Sequence, residues 1–87
     1  MPAITPTKPP LLNVYARNVE LHTFKRGWSH KFLATRLGIT PYSLTRIRYG
    51  RGRYLDAEVF ASMLEVFDCQ PNDLLLPQPG IDYTIPE

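Results

Sequence analysis

Apolar residues recur at spacings of three and four through most of the chain between residues 12 and 76, which predicts helices rather than strands. Residues 12–26 form the first such segment, with Asn13 as candidate cap. Val14, Leu21 and Phe24 make one stripe and Tyr15, Val19 and His22 a neighbouring one. VELHTF also alternates well enough to pass for a short strand, but the later helices need a third element to close their core, which favours the helix. From Ser29 to about Leu37 the spacing predicts a second helix, with Ser29 as cap and Leu33 and Leu37 on one face. A third helix follows from Pro41 to about Tyr49, where Leu44 and Ile47 turn inward. Between the two, Gly38 suits the left-handed residue that ends a helix, Thr40 can cap the next, and Pro41 fits its first position. Trp28, just ahead of Ser29, is placed to pack against Phe32 or Leu33 as part of the core.

Asp56 caps a fourth helix from Ala57 to about Phe67, in which Val59, Phe60, Met63, Leu64 and Phe67 share a face. Pro71 opens a short fifth helix whose Leu74 and Leu75 close the bottom of the core. The flanks differ in composition. Seven of the nine prolines lie in the first ten residues or from Pro77 onward. Residues 1–11 therefore read as an extended arm and 77–87 as a second arm or an edge strand. The fold class expected is all-α: a compact domain of four to five helices over residues 12–76, carrying extended N- and C-terminal arms.

The charge pattern changes the picture more than the net charge of +2 does. All ten Lys and Arg lie at or before Arg53, and seven of the eight acids lie at or after Asp56. From Lys25 to Arg53 there are eight basic residues and no acid, a one-signed run that spans the paired helices and suggests attraction to a polyanion; solubility alone is the plainer explanation. Two short helices with so brief a connection have the layout of a helix-turn-helix. The third helix, too short to stand alone in water, must be held by the core and so presents a rigid polar ridge.

Other chemistry is not legible. His22, His30 and Cys69 are too scattered to suggest a metal site, and no glycine-rich phosphate loop or nucleophile–base set stands out. No metal, no cofactor and no enzymatic activity are expected. One cysteine cannot form an internal disulfide, no apolar run approaches membrane-spanning length, and no leader pattern is legible, so a cytoplasmic protein with no membrane partner is expected.

Residues 27–76, about three fifths of the chain, resemble the lambda-repressor-like (Cro/C1 or XRE type) DNA-binding domains. The family frame runs G-L-S-Q-x-x-L-A, L-G-V-S, then x-x-T-I-S-x-I-x-x-G. Here it reads Gly27-Trp28-Ser29-His30, Leu33-Ala34, Leu37-Gly38-Ile39-Thr40, Ser43-Leu44-Thr45-Arg46-Ile47 and Gly50, with Asn72-Asp73-Leu74-Leu75 similar to the family's closing D-x-L-L helix. The resemblance implies that the third helix enters the major groove of double-stranded DNA, with Pro41, Tyr42, Ser43 and Arg46 at the base edges. It implies phosphate contacts from Ser29, His30 and Lys31 at the start of the second helix and from Tyr49, Arg51 and Arg53 after the third. It further implies a phage or bacterial regulator, a repressor in many cases, acting as a homodimer on a pseudo-palindromic site.

The sequence departs from the frame at three places. His30 replaces the usual glutamine. Phe32 and Arg48 stand where glutamates are common, and the first-helix arginine that pairs with the later glutamate falls at Thr23, so that ion pair is expected to be missing and Arg48 to join the basic field. Two other functions remain open. One is a protein-interaction module on the same fold, such as an antitoxin or phage accessory factor, using the acidic C-terminal region for a protein partner. The other is a DNA-packaging protein that binds without reading bases.

Overall fold

In the computed structural model, which describes residues 9–50 and 55–84, five helices follow one another: α1 Leu11–Lys25, α2 His30–Leu37, α3 Pro41–Arg48, α4 Ala57–Phe67 and α5 Pro71–Leu75. The described residues contain no strand, so the chain is all-α and VELHTF is helical. The helices α2, α3 and α4 each begin on a side chain that accepts from orphan N–H groups of the first turn. The Ser29 hydroxyl accepts from Phe32 N at 3.0 Å, and that of Thr40 from Ser43 N at 3.1 Å. The Asp56 carboxylate accepts from Glu58 N and Val59 N. Gly38 closes α2 at φ 73°, a conformation glycine adopts without Cβ strain, and its N–H returns to the last turn of α2.

The core gathers one face of every helix. Tyr15 and Val19 of α1, Leu33, Ala34 and Leu37 of α2, Leu44 of α3, Met63 and Phe67 of α4 and Leu74 of α5 are buried together. Trp28 stacks on Phe67 at 5.6 Å and tilts against Phe32 at 5.4 Å, closing the entry to α2 as an apolar contact.

Two expectations for α1 need correcting. The helix starts at Leu11, and Asn13 is not its cap: Pro10 precedes the helix and its carbonyl accepts from Asn13 N and Val14 N, while the Asn13 side chain donates to Tyr83 O. The stripe of Val14, Leu21 and Phe24 grades from buried through half-buried to 83% exposed. The inward arc is centred near Tyr15, because α3 and α5 both pack on this helix, and Phe24 falls past its edge.

The second arm is also corrected over residues 77–84, which are neither a strand nor a free arm but a strap folded back on α1. Tyr83 is buried; its hydroxyl donates to Asn18 Oδ1 at 2.7 Å and accepts from Gln78 N at 2.8 Å. Asn18, itself buried, donates through Nδ2 to Leu74 O and Leu76 O, both at 3.1 Å. Both hydrogens of that amide are thus donated and its oxygen accepts, as burial demands. Residues 1–8, which make up most of the first arm, lie outside the described residues, as do 85–87 of the second. Tyr83→Phe would strand Asn18 Oδ1 and Gln78 N together. The variant is expected to lose roughly 1–3 kcal/mol of stability in a urea melt.

A second expectation concerns His22, whose ring lies 5.6 Å from that of Phe67 and whose Nδ1 accepts from Arg26 at 3.1 Å. Burial first, then the charges of Arg26 and Lys25, hold it below the ordinary imidazole value of 6.5, against a smaller pull from Asp73. The folded form therefore resists a proton that the unfolded chain takes up near 6.5. Stability is full above that pH and declines as pH falls from there toward the lowered value. Thermal midpoints at pH 7.5 and 5.5 test this: the drop should be smaller in His22→Asn than in the parent.

Candidate nucleic-acid interface

Leu44 is fully buried and Ile47 half-buried, and these two fix the roll of α3 on the core. At 100° per residue, Tyr42, Arg46 and Tyr49 then fall on one outward face, with Ser43 at its edge. Tyr42 is 71% exposed and Tyr49 50%; Pro41, Ser43 and Arg46 are exposed as well. All four residues expected at base edges therefore reach solvent, along the first six positions of α3. The Ser43 hydroxyl accepts from Thr40 Oγ1 at 3.0 Å, which leaves its own proton free to donate outward. Thr45 is turned back, its hydroxyl donating to Pro41 O at 2.9 Å.

The residues expected at phosphates divide. Ser29 and Lys31 are exposed at the start of α2, where unpaired N–H groups and the helix dipole favour an anion. Tyr49 caps the end of α3. Arg51 and Arg53 lie outside the described residues. His30 is half-buried between α2 and α3: its Nε2 lies 2.9 Å from Pro41 O and its Nδ1 3.0 Å from Arg48 Nη1.

The basic run is likewise not one field. Lys25, Lys31, Arg36 and Arg46 are exposed. Arg26 is exposed too, but its guanidinium is engaged within the protein: it donates to Phe67 O at 2.6 Å and to His22 O at 3.1 Å, and it lies over the rings of Trp28 and Phe67. Arg48 is turned toward α1, where Nη2 lies 3.7 Å from Glu20 Oε2. A different α1–α3 ion pair, between Arg48 and Glu20, thus stands in place of the family's pair between positions 23 and 48, with the basic partner now on α3. Thr23 donates its hydroxyl to Val19 O and is buried. Glu20 carried one legible signal, its spacing of three from Arg17, whose Nη1 it accepts at 2.9 Å.

Among the described residues, no three His, Cys, Asp or Glu side chains gather as metal ligands, and no helix is long and apolar enough to cross a membrane. Cys69 is half-buried, and burial followed by the charge of Asp73 pushes its thiol up, away from a reactive thiolate.

The family of Cro/C1-type HTH DNA-binding domains matches residues 24–80, from the last turn of α1 through α5 and into the strap. The chain belongs to this family. The Cro/C1-type domain thus takes in all of α2 to α5. No curated protein matches the chain. Among solved structures, the chain is similar to one titled a hypothetical transcription factor, NHTF from Neisseria, at 26% identity and a TM-score of 0.72, over 88% of this chain and 87% of that one.

Proposed function

We propose that this Cro/C1-type domain is a transcriptional regulator, most simply a repressor, that binds double-stranded DNA sequence-specifically as a homodimer in the cytoplasm. The observation that carries this reading is the two-sidedness of α3. Leu44 anchors it, while Pro41, Tyr42, Ser43 and Arg46 stand exposed at its N-terminal end. Arg46 can donate two hydrogen bonds to guanine O6 and N7, Tyr42 can meet a thymine methyl or an acceptor, and Ser43 can donate to either base type. Ser29 and Lys31, with Tyr49, Arg51 and Arg53, are assigned to the phosphates on either side. The similarity to a hypothetical transcription factor supports the regulatory role. Repression follows if the occupied site overlaps the place where polymerase must bind.

Selection from a random duplex pool, sequencing of the bound fraction and a measurement of stoichiometry test the reading together. Two half-sites about 10 base pairs apart and two chains per duplex are expected. Affinity for the selected duplex should fall steeply as salt rises from 50 to 200 mM, because several phosphates release counterions. A flat salt profile with no enriched sequence would instead favour the protein-partner role.

A further inference from the structure

We infer that His30 is a positioning residue of the recognition helix and not a phosphate ligand. The assignment starts from its two ring nitrogens. Arg48 Nη1 lies 3.0 Å from Nδ1, and a guanidinium only donates, so Nδ1 is the acceptor and carries no proton. The single ring proton of the neutral imidazole is then on Nε2, 2.9 Å from Pro41 O, to which it donates; Thr45 Oγ1 stands beside it at 3.2 Å. Both nitrogens are thereby taken by α3, one at its first residue and one at its last. No polar atom of the side chain is left for DNA.

The charged groups around the ring fit this role. Arg48 approaches it from α3 and is steadied by Glu20 of α1, which Arg17 holds in turn. Lys31 is the neighbouring charge on α2 and points to solvent. The ring thus ties the first turn of α2 to both ends of α3 and adds to the hold that Leu44 and Ile47 have on its roll. Since Tyr42 and Arg46 share one face, with Ser43 at its edge, a small roll would displace all three from their base edges at once.

The base-reading consequence rests on the function proposed above, whereas the ring geometry does not, and two measurements keep them apart. Nitrogen-15 spectra of the imidazole in the free protein should show the proton on Nε2 and an unprotonated Nδ1 coupled to Arg48; a proton on Nδ1 would overturn the inference whatever the protein binds. In duplex titrations, His30→Ala should weaken the selected duplex about tenfold, the worth of a lost internal hydrogen bond, and leave random duplex unchanged. His30→Gln, whose amide can still donate to Pro41 O, should restore most of the loss. Arg48→Met should repeat the selective loss with the salt slope unaltered. Equal losses on both duplexes, or a slope lower by about one in Arg48→Met, would mean that these side chains meet phosphates and would overturn the inference. If the parent chain selects no sequence at all, the proposed function falls and the spectra alone decide the role of His30.

Discussion

Arg46→Ala is expected to lower affinity for the selected duplex by roughly ten- to hundredfold, the worth of one bidentate contact to guanine. Random duplex should lose far less, because a non-specific complex uses Arg46 only as one positive charge among several. Fold stability should change by less than about 0.5 kcal/mol: the side chain is exposed, and its removal opens no cavity. Arg53→Ala supplies the contrast. As a phosphate contact it should weaken both duplexes by a similar factor and reduce the salt slope by about one. Anisotropy titrations of both variants on both duplexes give the comparison directly. Equal losses from Arg46→Ala on the two duplexes would remove the case for base reading by α3.

Two positions earlier on the same helix the opposite result is expected. Leu44 is fully buried against the other helices, and Leu44→Ala should cost about 2–5 kcal/mol through lost transfer energy and the cavity left behind. A domain this small has little more than that to lose. The variant should therefore melt far below the parent in a urea or thermal scan and bind neither duplex at 37 °C, while recovering some binding on cooling. A melting midpoint within a degree or two of the parent would show that α3 is not held by this contact. Taken together, Arg46→Ala should change what is read without changing the fold, and Leu44→Ala should do the reverse.

Local chemistry made much of this architecture legible in the sequence. Ser29, Gly38, Thr40, Pro41 and Asp56 each act within three or four residues of chain, so the bounds of α2 to α4 follow from cap and turn rules to within a residue. The outward residues of α3 follow as directly once Leu44 and Ile47 are assigned inward. What could not be read depends on partners distant in sequence. Which arc of α1 faces inward is set by α3 and α5 lying against it, and no period within residues 11–25 reveals that Phe24 is left outside. Tyr83 has no periodic company at all, and its burial depends on Asn18, 65 residues away. Arg26 and Arg48 look like Lys31 and Arg46 in a count of charges; only Phe67 O, Glu20 and His30 distinguish them.

The exchanged polarity between Glu20 and Arg48 bears on any attempt to re-target the domain by transplanting a recognition helix. A donor helix drawn from the relatives that carry glutamate at the last position would bring a second negative charge against Glu20 and take away the hydrogen that His30 Nδ1 accepts. Such a chimera would arrive with the donor's base-reading side chains but a repulsive seam beneath them. The transferable unit in this protein is the outward half of α3 alone, grafted residue by residue with Arg48 kept, or α1 and α3 moved together as a matched pair.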